Sequence, residues 1–147
     1  MHIRELTHAD LPRASALCLE AFTLAVAPSL SEHGVETFAK VASEQAFAER
    51  MEGDNLILVC EVDGLICGLI ELKEGRHVAM LFVASAWQRR GVGTRLVHAA
   101  LGHARTKIVT VRASLSSVAA YLRYGFVLAG DVGEHAGLVY QPMEKQR

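Results

Sequence analysis

Apolar residues follow one spacing in the first third of the chain and another afterwards. Residues 2 to 5 read as a short extended segment. Leu11, Ala14, Leu17, Cys18, Ala21 and Phe22 then recur at the spacing of a helix with one buried face. Thr7 or Asp10 can cap that helix. Asp10 suits Pro12 better, because Pro12 then falls in the first turn, where its missing N–H has no partner to lose. The period fades over residues 23 to 30, which include Pro28, and a loop is expected there. Ser31 can cap a second helical region reaching about Met51, kinked or split by Gly34 and Ser43 and stopped at Gly53.

Beyond Gly53 the pattern is that of strands. Residues 56 to 62 and 65 to 72 are apolar runs joined by Asp63-Gly64, a strong signal for a type I′ hairpin. Such a turn places Val62 opposite Leu65, Glu61 opposite Ile66 and Cys60 opposite Cys67. A polar turn at residues 73 to 76 leads into a third meander strand from Val78, apolar throughout and so buried on both faces. That strand runs through Gln88-Arg89-Arg90-Gly91-Val92-Gly93 into a helix over residues 91 to 104, with Val92, Leu96, Val97, Ala100, Leu101 and Ala104 on its apolar face. Residues 107 to 113 form a β-branched strand. It is expected to be parallel to the strand before the helix, as a βαβ unit requires. Ser116 can cap a short helix through Arg123, Gly125 ends it, and residues 126 to 129 and 137 to 143 close the chain as two strands. The order is β, two helical stretches, three antiparallel strands, α, β, α, β, β: a mixed-sheet α/β or α+β fold.

Composition narrows the class of protein. With 147 residues, 51% of them hydrophobic, and no break or repeat, residues 1–147 are read as a single domain. The net charge of -1 gives no reason to expect nucleic acid or an anionic membrane as partner. The polar N-terminus is unlike a signal peptide, and no apolar run approaches the ~20 residues of a membrane span. Three cysteines, Cys18, Cys60 and Cys67, fit a reducing cytoplasm better than a disulfide framework. Cys18 is expected to be a buried small hydrophobe, and Cys60 with Cys67 a packed pair rather than a redox couple.

The stretch from Val78 to Thr94 carries the chemistry. A buried strand that turns through glycines into a helix aims backbone N–H groups and a positive helix end at one place, which suits a phosphate or pyrophosphate. Gly91 and Gly93 leave the backbone open to a ligand, and Arg89 and Arg90 add positive charge. The turn is no Walker loop, lacking Gly-Lys-Ser/Thr, and no dinucleotide fingerprint, because position 96 is leucine. No set of His, Cys and carboxylate residues has metal-ligand spacing. Glu32, His33 and Glu36 are either a contact for a cationic substrate or a solvated helix start; the second is favoured.

Downstream residues extend the pattern. Leu81-Phe82-Val83 followed by Gln88-x-x-Gly91-x-Gly93 resembles the central acetyl-CoA motif of the Gcn5-related N-acetyltransferase (GNAT) superfamily. Ala113-Ser114-Leu115-Ser116 with Tyr121-Leu122-Arg123-Tyr124-Gly125-Phe126 is similar to that family's second motif. The opening Ile3-Arg4-Glu5 and Ala9-Asp10-Leu11, and the closing Val139-Tyr140-x-Pro142-Met143, also match, in the right order and over nearly the whole length. The resemblance implies a mixed, mostly antiparallel central sheet of about six to seven strands with helices on both faces. It implies acetyl-CoA as cosubstrate, with Leu81, Phe82 and Val83 beside the pantetheine arm. Gln88, Arg89, Arg90, Gly91, Val92, Gly93 and Thr94 would lie at the pyrophosphate, and Tyr121 near the thioester sulfur.

The implied reaction is acetyl transfer to a primary amine of a small molecule or peptide, by direct attack in a ternary complex. Tyr121, a phenol protonated at neutral pH, would serve as general acid, while Tyr124 is expected to pack. Two departures stand out. Ser116 replaces an asparagine found in many relatives, leaving a side-chain contact to the cofactor open. Some relatives carry a catalytic glutamate near the position of Thr110, which cannot act as a base. Glu71 and His77 are the alternatives, with relay through water as a third. A non-catalytic acyl-CoA sensor or partner module is the competing function, and a nucleotide-binding domain the third. The apolar C-terminal strands leave room for a homodimer.

Overall fold

The computed structural model describes residues 1–147. Its sheet starts at β1 (His2–Glu5), which pairs antiparallel with β2 (Asn55–Val62). β3 (Leu65–Lys73) and β4 (His77–Val83) extend the meander. β5 (Ile108–Ala113) joins β4 in parallel. β6 (Val127–Leu128) and β7 (Gly133–His135) share the outer edge of β8 (Leu138–Gln146), whose inner edge pairs with β5. The strand order is β1-β2-β3-β4-β5-β8-β6, with β7 also on β8, and every pairing except β4–β5 is antiparallel. Asp63 and Gly64 have φ of 50° and 78°, as a type I′ turn demands.

Five helices cover the two faces. α1 is Leu11–Ala25, α2 Glu32–Val41, α3 Glu44–Met51, α4 Val92–Leu101 and α5 Val118–Arg123. Ser31 Oγ accepts from the Gly34 N–H and Ser43 Oγ from the Ala46 N–H, so the helical region splits at Ser43, where a new cap begins. No helix is long and apolar enough to cross a membrane.

Three local expectations are corrected. Residues 23 to 30 are not a loop: α1 continues to Ala25 and a 3₁₀ turn covers Ala27–Ser29. Exposed residues blur the apolar period there, but nothing breaks the helical bonds before Pro28. Ser116 does not cap α5: it lies inside a 3₁₀ turn, Leu115–Ser117, and Ser117 holds the cap position. Cys60 faces Gly68, not Cys67, because a bulge after Cys60 inserts Cys67 as an extra residue. The Cys67 thiol donates to the Cys60 carbonyl at 3.3 Å.

One core lies between the sheet and α4–α5, around Ile70, Leu72, Leu96, Val109, Phe126 and Met143. The other lies beneath α1–α3, around Cys18, Phe22, Phe38, Phe47, Val59 and Leu69. There Phe22 stacks on Phe38 with ring centres 4.0 Å apart, and Phe38 meets the Phe82 edge at 5.3 Å. Each such side chain contributes about 1.5–3 kcal/mol through removal from water.

The feature that positions the site is a split in the sheet. β4 and β5 pair only at His77–Thr110 and Val78–Val111. Opposite the Glu71/Leu72 step, β4 bulges at Ala79, which has no partner on β3. From that bulge onward β4 leaves β5, and a wedge opens toward Val83.

Candidate active site

A cleft of about 730 Å³ occupies the mouth of this wedge. Leu81, Phe82 and Val83 form its β4 wall. Gln88, Arg89, Gly91, Val92, Gly93 and Thr94 line it from the turn and first residues of α4, and Ser116 and Tyr121 from the segment after β5. Arg90 is the one member of the expected turn that does not line it. Its guanidinium lies over the Trp87 ring, 5.1 Å from the centre. Glu71 and His77 also lie outside the cleft.

The backbone of the turn is open and uncapped. Gly91 takes the left-handed conformation, φ 83°, with open space where a Cβ would stand, and Arg89 takes it too, at 63°. α4 has no side-chain cap, and none of the backbone N–H groups from Arg89 through Thr94 donates to a protein acceptor. Uncommitted donors at a positive helix end are what a phosphate needs. Gly93 is small for another reason: a Cβ there would overlap the Tyr124 hydroxyl. Gly93 therefore makes room for a tyrosine, not directly for a ligand.

Tyr121 sits deeper. Its ring meets Tyr124 edge-on at 5.7 Å and Phe126 at 5.3 Å, and its hydroxyl makes no hydrogen bond within the protein. Burial, then the neighbouring Tyr124, pushes its pKa up, so it stays protonated well into alkaline solution. Burial raises the pKa of Tyr124 as well. The wedge-facing edge of β4 past Val78 has no strand beside it, so main-chain amide groups are left to serve a ligand.

The two candidate bases face other surroundings. Glu71 is buried under α3, where Arg50 Nε donates to its two oxygens at 2.9 and 3.1 Å. Burial pushes the Glu71 pKa up and Arg50 opposes the rise. His77 lies at the closed apex of the wedge, its Nδ1 2.8 Å from Thr110 Oγ1. Burial, and then the charges of Arg112, Arg76 and Lys73, hold its pKa below the ordinary value, which favours a neutral imidazole.

Several lining residues escaped the sequence reading. Ala21, Ala25 and Val26 bring the end of α1 over the cleft, and Trp87, Ser117 and Arg123 add to its walls. Trp87 carried a signal, as the only tryptophan and the residue just before Gln88. The alanines carried none, because small residues at a helix end read as core.

A sheet opened between its two parallel strands, with a bare helix N-terminus at the opening, is the architecture of an acetyltransferase domain. The model of the acetyltransferase (GNAT) domain matches residues 26–147, and the chain belongs to that family. A Gcn5-related N-acetyltransferase from Rhodopseudomonas palustris is similar at 26% identity, over 99% of this chain and 95% of its own, with a TM-score of 0.86. PaiA N-acetyltransferase from Thermoplasma acidophilum, solved with coenzyme A, has the same fold at 20% identity and TM-score 0.84, over 99% and 98% of the two chains. A ribosomal-protein-alanine N-acetyltransferase from Brucella melitensis is 25% identical over 100% of both chains, with a TM-score of 0.70. No curated protein sequence matches the chain.

Proposed function

We propose that this acetyltransferase domain uses acetyl-CoA to acetylate a primary amine of a small molecule or peptide, by direct attack in a ternary complex. The observation that carries the reading is the uncommitted run of N–H groups from Arg89 to Thr94 at the mouth of a cleft with Tyr121 inside it. Bound acetyl-CoA supplies an acetyl group activated as a thioester. The N–H groups of Arg89 to Thr94 and the Arg89 side chain hold its diphosphate. Gln88 and Ser116 flank that site, and Arg90 reinforces the turn through Trp87. The main chain of Leu81 to Val83 hydrogen-bonds the amide-bearing arm. Tyr121, kept protonated by burial, donates to the departing sulfur as general acid. The amine gives up its proton through water. His77, neutral and at the same wedge, is the better terminal acceptor, because both oxygens of Glu71 are engaged by Arg50. Three free, buried cysteines suit a reducing compartment, in keeping with a cytoplasmic enzyme.

The similarity to structures solved with coenzyme A and with acetyl-CoA supports the choice of donor. The lack of a carboxylate or imidazole lining the cleft favours one alternative, a non-catalytic acyl-CoA sensor. Thiol release from acetyl-CoA over a panel of amines separates them. The enzyme reading expects amine-dependent release, and Tyr121→Phe to lower kcat at least about tenfold while acetyl-CoA affinity stays within about twofold. Tight acetyl-CoA binding with no amine able to stimulate release would leave the sensor.

A further inference from the structure

A second cavity, about 430 Å³, lies at the closed apex of the wedge. Lys73, Arg76, His77 and Arg112 line it, and Glu144 is its one carboxylate. Arg76 is neutralised by Glu74, with Nη2 2.6 Å from Oε1. Lys73 and Arg112 have no carboxylate within 4 Å and donate no hydrogen bond to the protein, as is true of most cations of this chain; what sets them apart is that they share one cavity with His77. Arg112 lies over the Tyr140 ring, 4.8 Å from its centre, a contact that orients the guanidinium plane and leaves its N–H edges free. Register places Glu144 opposite Thr110, three strands from Lys73 and diagonal to Arg112, so it borders the Arg112 side of the pocket without pairing with either cation. Positive groups gathered without partners in a cavity of a chain with net charge -1 are a local feature, not an overall excess.

We infer that this pocket, through Lys73 and Arg112, binds an anionic oxygen-bearing group on the acceptor, so that the acceptor is an amine that also carries a carboxylate or phosphate. The inference rests on the acetyltransferase reading above. His77 and Leu81 are four residues apart on β4, so the pocket lies within roughly 13 Å of the cleft along the strand. An acceptor that reaches both carries its amine and its anionic group a span of that order apart. An anion between Arg112 and Lys73 gains charge-assisted hydrogen bonds from both and offsets the positive field on His77. Polycationic amines meet that field unfavourably.

The test uses the full chain with acetyl-CoA and three matched series of increasing length: n-alkylamines, ω-amino carboxylates and ω-aminoalkyl phosphates. At least one anionic series is expected to exceed the alkylamines about tenfold or more in kcat/KM, and which one does so identifies the group. Arg112→Gln and Lys73→Gln, both at exposed positions, are expected to collapse that ratio toward one, mainly by raising KM. Equal or better use of neutral amines, or a ratio unmoved by both substitutions, would overturn the assignment. A separate arm follows the His77 imidazole by NMR in CoA-saturated protein titrated with glutarate or inorganic phosphate. Saturable shifts and a raised His77 pKa, lost in Arg112→Gln, are expected; no shift with either anion rejects the pocket. If no amine releases CoA but His77 responds, the acetyltransferase reading fails and the anion site stands; with no amine stimulating release, the assignment to an acceptor falls.

Discussion

The hydroxyl of Tyr124 occupies the space that a side chain on Gly93 would need. The first turn of α4 and the end of α5 are therefore fitted to one another across the cleft, and Tyr121 packs against the same tyrosine. Gly93→Ala is expected to destabilise the fold by about 1–3 kcal/mol, as overpacking does. Tyr124→Phe removes the obstructing oxygen, so the double variant should recover much of that loss. Denaturant midpoints of the four proteins check the coupling; strictly additive losses would mean that Gly93 is small for some other reason.

Gly91 presents the opposite case. Space around it is open, but its φ of 83° disfavours any side chain. Gly91→Ala is expected to cost about 1 kcal/mol of stability. Gly91→Asp adds a negative charge at the proposed diphosphate site and should weaken acetyl-CoA binding about tenfold or more beyond the alanine variant. Calorimetric titration of both variants measures this, and equal affinities would remove the diphosphate from the turn.

Glu71 and Arg50 form an ion pair between β3 and α3. Arg50 Nη1 also donates to the Val41 carbonyl at 2.8 Å, and Nη2 is buried without a partner. Removing either charge strands the other. Glu71→Gln or Arg50→Met alone is expected to cost about 2–4 kcal/mol. The double variant Glu71→Leu with Arg50→Met should lie within about 1–2 kcal/mol of the parent, because an apolar pair suits that core. Chemical denaturation checks the non-additivity.

Asp10 gives the acid limb of stability. Arg4 donates to both its oxygens, at 2.7 and 3.0 Å, and with the Thr7 N–H holds its pKa well below the ordinary carboxylate value. A depressed folded pKa stabilises above the unfolded value, near ~3.9, and that stability is lost as pH falls below it. Asp10→Asn is expected to lower stability at pH 7 by about 1–2 kcal/mol, moderated by partial exposure, and to flatten the loss below about pH 4. Thermal unfolding from pH 3 to 7 measures both effects.

Most of the architecture was legible from residue spacing. Asp63-Gly64 announced the hairpin, Ser31 announced the start of a helix, Ser43 marked one of two places where that region could kink or split, and the βαβ order required the parallel pair. Two failures were local, the helical end at residues 23 to 29 and the cap of α5, whereas the others depended on partners distant in sequence. The bulge that displaces Cys67 places Gly68 beneath Val92 and Leu96, where a Cβ would crowd both, and no local pattern carries that information. The lining of the cleft from α4 and α5 followed from contiguous motifs, whereas the wall from Ala21, Ala25 and Val26 depends on how α1 crosses the sheet. Gly34 read as a kink in α2. It instead permits backbone contact with Gly137, and Thr37 Oγ1 donates to the Ala136 carbonyl at 2.6 Å, fastening α2 to the β7–β8 turn.

An exposed strand edge is usually a hazard, since its unpaired amides recruit other chains. This protein keeps such an edge inside itself, where β4 and β5 part after Val78, screened by α1 on one side and α5 on the other. The adhesive property of a sheet margin becomes selective when only something as slender as a single extended chain can reach it. What would drive aggregation at the surface is retained here as an internal seat.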